Sequence, residues 1–355
     1  MTMTVGTTEA TVVLLCGYYG EDNLGDDALL QVLLQDLPWG SRPLITARNS
    51  ASVQRFCADA TVVNRRSVRA VLGSVNRVQA VIFGGGSLLQ DSTSQKSLFY
   101  YVLLILWSRC RGRRIFLWGQ GLGPLDHRLS RLIVRWVLPL CTSASWRDQR
   151  SLELARSWAP NLPSCIGPDP VWQMPMQSWT GGVSIVLSWR PTPLLDRDGW
   201  RRLLSAVDQL ATELDAPVHW LAFHQHQDAN LLNHLCDLDL VPETLMHRSD
   251  TLVPNSIQEV FDVVRTARIV LPMRLHALIL ARLTCCPMAA LSYDPKVEAA
   301  ASMSGVVWSA LRPLPSRDQL ITQWRPVVDQ PADPSAVQEI RDRASAHAEW
   351  LKRHF

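Results

Sequence analysis

Short apolar segments that end in glycine-rich loops alternate with helical patterns along most of this chain. Parallel β-sheets produce this order, because neighbouring parallel strands need a crossover connection, which is usually a helix. We therefore predict an α/β fold built from parallel sheets. The predicted strands cover residues 11–16, 81–83, 115–118, 143–146, 183–189, 218–223, 269–271 and 288–291. The predicted helices cover residues 28–37, 151–158, 200–214, 274–283 and 335–352.

The alternation is interrupted over residues 165–182, which contain three prolines and end in two glycines. Such clusters are typical of loops, so we predict an interdomain linker here. A chain of 355 residues has room for two domains of about 100–200 residues each. We predict a Rossmann-like domain over 1–175, a second over 176–330 and a C-terminal helix within 331–355. Ligands of such folds bind at the carboxyl ends of strands, so we expect the two domains to face a common cleft.

Composition excludes several classes of protein. The net charge of +3, with no basic run interleaved with aromatic residues, argues against a nucleic-acid partner. The longest apolar run, residues 98–107, is half as long as the roughly 20 residues that span a bilayer. The N-terminal residues lack the basic and apolar regions of a signal peptide. Eight cysteines without a C-x-x-C pair indicate buried thiols in a reducing compartment, so we predict a cytoplasmic protein.

Glycine-rich loops follow three of the predicted strands. In the first, residues 17–27, Asp26 is either a helix N-cap or an acid–base group. The triple glycine of the second, which includes Gly85 and Gly86, forms either a tight turn or a backbone cradle for phosphate or sugar. In the third, Gln120 either binds a sugar hydroxyl or holds the turn. The amide side chains that we predict to bind an acceptor sugar are Asn23, Gln90 and Gln120.

Cations lie at several points where a strand gives way to a helix. The helix dipole disfavours positive charge there unless an anion is bound. Arg147 is either an anion ligand or part of a surface arrangement with Asp148. Arg274 and His276 open the helix predicted at 274–283; His276 is either a proton-transfer group or a partly buried structural histidine. Lys296, one of only three lysines in the chain, falls in another first turn and indicates an anion ligand.

Two further features have competing interpretations. His224, His226 and Asp228 have the spacing of a metal site, but no third cluster accompanies them and Asp228 suits a helix cap, so we predict no metal. The apolar run 98–107, with four arginines after it, is either a membrane-surface segment or a buried helix with a solvated basic end, and we favour the helix. Together the loops, cations and acid–base candidates predict group transfer from a small anionic donor to a hydroxyl acceptor.

Seven motifs give the chain a resemblance to the polysaccharide pyruvyl transferase family, and in particular to its CsaB-type bacterial members. They span about residues 12–305 in the family's order and spacing. The chain departs from the family at Trp146, where an aliphatic residue is more frequent, and at Pro272-Met273, where Gly-Met is common. The motifs are GYYGEDNLGDDALL, GGGSLLQDSTSQKSLFYY, WGQGLGPL, WRDQRSLELA, GPDPVW, MRLHALILA and SYDPKVEAAASMSG.

The resemblance implies a GT-B-like pair of Rossmann-like domains and transfer of a pyruvyl group from phosphoenolpyruvate to a sugar, with formation of a cyclic ketal and release of phosphate. In CsaB-type members the acceptor is typically N-acetylmannosamine, ketalised at O4 and O6 in a lipid-linked cell-wall precursor, and the product anchors S-layer proteins. No cofactor or metal is implied. By motif, the catalytic residues are His276, Asp26 and Arg274. By motif, the phosphoenolpyruvate-binding residues are Arg147, Arg274 and Lys296, to which we add Gly85 and Gly86.

Under this scheme Asp26 and Arg147 line one half of the cleft, and Arg274, His276 and Lys296 line the other. The main alternative is a nucleotide-sugar glycosyltransferase of the same architecture, and a third is a module that binds its ligands without releasing phosphate. Contact with the inner face of the membrane through basic and tryptophan-rich surfaces stays open, as does the oligomeric state.

Overall fold

The computed structural model describes residues 11–92 and 94–355. The segment on which the signal-peptide prediction depends falls mostly outside the described residues, as does Thr93 of the triple-glycine motif. The predicted α/β class is confirmed, because all pairs between the described strands are parallel. The eight cysteines, all within the described ranges, are free thiols.

The chain divides into two compact units. Unit 1 comprises the described residues up to Glu21, Leu29–Pro170 and Arg343–Phe355. Unit 2 comprises Asp22–Ala28 and Val171–Asp342. The sequence-based domain boundaries stay a prediction; they do not anticipate that Asp22–Ala28 groups with unit 2 or that Arg343–Phe355 groups with unit 1.

Unit 1 contains one seven-stranded parallel sheet with the strand order β3-β2-β1-β4-β5-β6-β7. Its central strands are almost continuously apolar, as expected for strands that are covered on both faces. The strands are Val12–Tyr19 (β1), Arg42–Ala47 (β2), Thr61–Asn64 (β3), Ala80–Gly86 (β4), Arg114–Gln120 (β5), Ser143–Trp146 (β6) and Ser164–Ile166 (β7). The crossover helices are Leu24–Asp36 (α1), Ser50–Gln54 (α2), Val68–Val75 (α3), Gln95–Cys110 (α4), Arg128–Val137 (α5) and Gln149–Trp158 (α6).

Unit 2 repeats the same winding, with the strand order β10-β9-β8-β11 and a neighbouring pair β12-β13. A parallel bridge between Val270 and Met288 connects the two groups. The strands are Ser184–Ser188 (β8), Val218–Leu221 (β9), Ser249–Leu252 (β10), Ala267–Pro272 (β11), Ala289–Ser292 (β12) and Val307–Ala310 (β13). The helices that follow are Arg197–Leu214 (α7), Gln225–Asp228 (α8), Leu231–Asp237 (α9), Glu243–His247 (α10), Ile257–Val264 (α11), Leu275–Leu283 (α12), Pro295–Met303 (α13), Arg317–Trp324 (α14) and Pro334–Ala344 (α15). The last helix, Ala346–His354 (α16), belongs to unit 1.

Three predicted elements need correction. Helix α1 begins at Leu24 rather than at residue 28, so part of the predicted loop is already helical. The segment predicted as a linker begins within β7, which pairs with β6 and completes the sheet of unit 1. The single C-terminal helix predicted at 335–352 is two helices, divided at Ser345. Over the described ranges, none of the helices has both the length and the apolar character needed to cross a membrane.

Candidate active site

The N-terminus of α1 is capped by Asn23. Its Oδ1 accepts a hydrogen bond from the Gly25 N–H at 3.2 Å, and its Nδ2 donates to the carboxylate of Asp26. Asp26 therefore lies in the first turn of the helix, and the N-cap alternative for this residue is wrong. The amide of Asn23, predicted to bind an acceptor sugar, is engaged within the turn and orients Asp26.

His276 lies directly against Gly25. A Cβ atom added to Gly25 would be 2.0 Å from Nδ1 of His276, so the imidazole ring occupies the space that any other residue would need. Glycine is required here because of this close approach. Asp26, the next residue, belongs with His276 to unit 2, and not with Arg147 to unit 1 as the sequence led us to expect.

The loop after β9 fixes the same turn. The Leu24 N–H donates to the Phe223 carbonyl at 3.1 Å, and the Gln225 N–H donates to the Asp22 carbonyl at 3.0 Å. The Nε2 of His226 lies 3.1 Å from a carboxylate oxygen of Asp22. These bonds explain why Asp22–Ala28 groups with unit 2, although it follows β1 in the chain.

Arg274 is the residue immediately before α12, and a buried carboxylate holds it. Its Nε and Nη2 donate to the two carboxylate oxygens of Asp228, and Nη2 also donates to Oε1 of Gln227 at 3.0 Å. The Asp228 side chain is 1% exposed, and its Oδ2 accepts the His224 N–H at 2.8 Å. A two-point pair of this kind fixes the plane of the guanidinium group. The sequence offered Asp228 only as a helix cap or metal ligand, and its role as the partner of Arg274 was missed.

Lys296 lies in the first turn of α13, as predicted. Asp294 caps this helix by accepting the Lys296 N–H at 2.9 Å, and Pro295 occupies the first turn. A neighbouring cation was missed from the sequence: Arg190, which follows β8, donates to the Tyr293 hydroxyl at 3.2 Å and lies 4.8 Å from the centre of its ring.

These loops share one edge of the unit 2 sheet. The carboxyl ends of parallel strands meet at the same edge, which is where ligands bind in α/β proteins. Arg190 follows β8, His224 to Asp228 follow β9, and Arg274 and His276 follow β11. Lys296 follows β12, which is joined to β11 by the Val270 bridge. Unit 2 therefore gathers cations and two acid–base groups at one edge, the composition expected of a site for an anionic substrate.

Unit 1 holds Arg147 in a comparable way. Its Nη1 donates to Oδ2 of Asp169 at 2.7 Å and its Nη2 to the hydroxyl of Ser87 at 3.2 Å. The arginine and aspartate side chains are 7% and 6% exposed. Asp148 instead caps α6 by accepting the Ser151 N–H at 2.7 Å, so the alternative of a surface arrangement between Arg147 and Asp148 is wrong.

The glycine and glutamine candidates of unit 1 are used in packing and turns. A Cβ atom on Gly85 would lie 2.7 Å from a methyl carbon of Leu29, so helix packing accounts for this glycine. Gly86 has a φ of 77°, in the left-handed region that favours glycine, so the backbone turn accounts for this residue. Gln120 is buried and its amide bonds to the carbonyls of Phe83 and Gly85; of its two proposed roles, these bonds favour holding the turn. The side chain of Gln90 accepts a hydrogen bond from the Ser92 hydroxyl.

His347 of α16 supports the loop that carries Asp169. The histidine is fully buried, and its Nε2 lies 2.7 Å from the Pro168 carbonyl. Burial lowers the pKa of His347 below the 6.5 usual for histidine, although the hydrogen bond to Pro168 opposes this effect. A residue distant in sequence therefore helps to place the carboxylate partner of Arg147.

The motif of His224, His226 and Asp228 is accounted for by contacts within the protein. Asp228 binds Arg274, and His226 contacts Asp22. Burial lowers the pKa of His224, and the nearby Arg274 lowers it further. Within residues 11–92 and 94–355, no group of three histidine, cysteine, aspartate or glutamate side chains is placed to hold a metal ion.

The profile of the polysaccharide pyruvyl transferase family matches residues 23–295, which is more than half of the chain. The chain belongs to the polysaccharide pyruvyl transferase family. This pyruvyl transferase is therefore an enzyme, and its class of reaction is polysaccharide pyruvylation. Comparison with curated protein sequences gives no match.

Solved structures similar to this pyruvyl transferase confirm the GT-B-like fold class. The UDP-GlcNAc 2-epimerase of Methanocaldococcus jannaschii has a TM-score of 0.63 at 8% identity, over 94% of this chain and 98% of the epimerase. The Neisseria meningitidis UDP-GlcNAc 2-epimerase bound to UDP-GlcNAc gives 0.61 at 12% identity, over 97% and 100%. Anabaena Alr3699/HepE, in complex with UDP and glucose, gives 0.56 at 11% identity, over 96% and 95%. At these identities the likeness concerns the fold alone.

Proposed function

We propose that this enzyme transfers a pyruvyl group from phosphoenolpyruvate to an N-acetylmannosamine residue of a cell-wall polysaccharide precursor, as CsaB-type transferases do. The product would be a 4,6-ketal that serves S-layer anchoring, and phosphate would be released. The observation that carries the proposal is the contact of His276 with Gly25, beside Asp26, at the sheet edge that also holds Arg274 and Lys296.

The chemistry needs a proton donor, a proton acceptor and fixed positive charge. Phosphoenolpyruvate is a vinyl phosphate, and protonation of its methylene carbon makes C2 electrophilic. A sugar hydroxyl then adds to C2 and loses its proton. The second hydroxyl then loses its proton and attacks C2, which closes the ketal. The phosphate leaves with the C2–O bonding electrons and takes up a proton. We assign these proton transfers to His276, which shares them with Asp26. General acid–base catalysis of this kind typically accelerates a reaction by about 10²- to 10⁴-fold.

The cations have a separate role in this scheme. Arg274 and Lys296 bind the carboxylate and phosphate of the donor and stabilise the departing phosphate. Because Asp228 fixes the guanidinium of Arg274, little reorganisation is needed when the donor binds. The family motif adds Arg147 of unit 1 as a donor-binding residue, and to it we add the backbone of Gly85 and Gly86. The scheme uses phosphoenolpyruvate as a substrate and no cofactor.

A phosphate-release assay tests the proposed function. The full-length enzyme is incubated with phosphoenolpyruvate and a lipid-linked acceptor that carries N-acetylmannosamine, and a UDP-sugar replaces the donor in a parallel reaction. We expect phosphate release that depends on both substrates, and an acceptor mass increased by one pyruvyl group. Release of UDP instead would favour a glycosyltransferase, and binding of phosphoenolpyruvate without turnover would favour a binding module.

The role of Lys296 is tested with a matched lysine control. We expect Lys296→Ala to raise the KM for phosphoenolpyruvate by about 10-fold or more, since it removes one charged contact to an anion. Lys352→Ala changes an exposed lysine in α16 and should leave KM and kcat unchanged. An unaltered KM and kcat in Lys296→Ala would contradict the assignment.

A further inference from the structure

Helices α4 and α5 of unit 1 pack against each other and expose large apolar side chains. On α5, Leu129, Leu132 and Trp136 are exposed, and Trp136 reaches 74%. Their spacing of three and four residues places them along one face of the helix. The sequence favoured a buried helix for residues 98–107, and α4 does bury one side, but Phe99, Leu103 and Leu106 remain exposed on another.

The same two helices carry only positive charge. Neither helix contains an aspartate or a glutamate. Their basic residues are exposed, and those of α5 alternate with its exposed apolar side chains. The basic residues of the two helices are Lys96, Arg109, Arg128, Arg131 and Arg135. We define these five side chains and the six exposed apolar ones as the α4–α5 face.

The combination of positive charge and apolar side chains indicates what kind of partner binds to the α4–α5 face. Positive charge without an aspartate or glutamate in either helix complements an anionic surface, and it would repel the same face of a second copy. Helices that lie in the surface of a bilayer combine lysine and arginine with tryptophan, phenylalanine and leucine. Anionic headgroups attract each basic residue near the surface, and a tryptophan prefers the depth of the headgroups.

We propose that the α4–α5 face docks onto the surface of a bilayer that contains anionic lipids. The apolar side chains enter the boundary between headgroups and acyl chains, and the arginines contact lipid phosphates. This docking would bring a lipid-linked acceptor and the enzyme to the same surface. In that respect it deepens the proposed function, although the docking itself does not depend on the reaction.

Vesicle flotation with the full-length protein tests the proposal. One set of vesicles contains phosphatidylcholine alone, and the other contains 30% phosphatidylglycerol. We expect binding to the anionic vesicles only. Binding should weaken strongly between low and high salt, because ions screen the contacts with lipid headgroups. Equal binding to both vesicles, or binding to neither, would overturn the proposal.

Two pairs of variants locate the surface. Arg131→Gln with Arg135→Gln should reduce binding to anionic vesicles by about 20-fold or more, at roughly 5-fold for each charge near the surface. Leu132→Ser with Trp136→Ser should reduce it at least 10-fold through loss of buried apolar area. The matched controls are Trp39→Ser, at a fully exposed tryptophan of unit 1, and Arg201→Gln in unit 2. Both controls should bind as the wild type does.

Two further measurements distinguish membrane docking from misfolding and from dimerisation. Circular dichroism and the Tm must show that the variants fold as the wild type does; all four changed side chains of the face are exposed, so we expect them to. If the variants instead convert a dimer to a monomer and still bind vesicles, the face joins two copies of the chain and the proposal is wrong. Phosphate release with a water-soluble acceptor fragment should be retained in all variants. If the wild-type protein binds anionic vesicles but releases no phosphate, the proposed function is wrong and the docking proposal still stands.

Discussion

Each unit holds an arginine at the carboxyl end of a strand against a buried aspartate, but the surroundings of the two pairs differ. In unit 1, Arg147 and Asp169 lie beside the hydroxyl of Ser87. In unit 2, Arg274 and Asp228 lie at the edge that also carries His276. The same arrangement fixes a guanidinium group in both units. The histidine near the first pair, His347, is fully buried and bonded to the Pro168 carbonyl, whereas His276 of unit 2 is only partly buried and lies against the first turn of α1. We infer that unit 2 supplies the proton transfers and that unit 1 supplies a positioned cation.

The largest expected effect is that of His276→Ala in unit 2. Loss of a general acid–base group lowers kcat by about 10²- to 10⁴-fold, whereas KM should change little. The control is His247→Ala, which removes an exposed histidine of α10. Phosphate-release kinetics measure both, and a His276→Ala enzyme with nearly wild-type kcat would remove the proposed difference between the units.

The next effect concerns the two buried ion pairs. Asp169→Ala and Asp228→Ala each leave a largely buried arginine without its partner, and each should lower the free energy of unfolding by about 3–5 kcal/mol. The kinetics of the folded fraction should differ. Asp169→Ala should mainly raise the KM for phosphoenolpyruvate, and Asp228→Ala should also lower kcat, because we assign Arg274 to the stabilisation of the departing phosphate. Calorimetry and kinetics at low temperature would show this, and identical kinetic changes in both variants would contradict it.

Smaller effects are expected from two glycines. The Cβ of Gly25→Ala would meet Nδ1 of His276 at 2.0 Å, and that of Gly121→Ala would meet the Ser87 hydroxyl at 2.5 Å. Such overpacking lowers the free energy of unfolding by about 1–3 kcal/mol. In phosphate-release kinetics we expect Gly25→Ala to lower kcat and Gly121→Ala to raise the KM for phosphoenolpyruvate. Gly73→Ala is the control, because no atom outside its own helix and chain neighbours lies within 4 Å of the new Cβ; it should be neutral or stabilising.

The smallest effect is a dependence of stability on pH. Burial holds the pKa of His347 in unit 1 and of His224 in unit 2 below the usual 6.5. The unfolded chain therefore binds more protons, and stability is lost as the pH falls below about 6.5. Carboxyl groups with a lowered pKa, such as Asp91, act in a different range. Their protonation lowers the free energy of unfolding only when the pH falls to about 3.8 or below.

His347→Gln and His224→Gln should each reduce this slope. The Tm measured between pH 5 and pH 7.5 would show the change, with His247→Gln as an exposed control. If neither variant alters the slope, the protonation of these two histidines does not limit stability.

Local patterns in the sequence predicted much of the fold. Strand ends, glycine loops and helix starts depend on residues that are close in the chain, as at Asp294, Pro295 and Lys296, where the cap and the first turn were predicted correctly. A three-residue strand such as Ser164–Ile166 carries too few apolar residues to be distinguished from a loop, and its pairing with β6 decides its conformation.

The partners of the candidate site could not be predicted in this way. Asp228 and Arg274 are 46 residues apart, and His347 and Pro168 are 179 residues apart. Each arginine was predicted as a site residue because it follows a predicted strand. Which carboxylate it binds depends on long-range packing, and a local pattern does not contain that information. The position of Asp26 shows the same limit, because the hydrogen bonds that draw Asp22–Ala28 into unit 2 come from the loop after β9.

The division of unit 1 into separated segments has a consequence for synthesis. On the ribosome, Leu29–Pro170 emerges well before Arg343–Phe355, which brings His347 to its place beside Trp118 and Pro168. Between these two events the whole of Val171–Asp342 is translated. Unit 2 can therefore begin to fold while unit 1 still exposes the apolar surface that α16 later covers, and this interval is when the nascent chain would most need a chaperone.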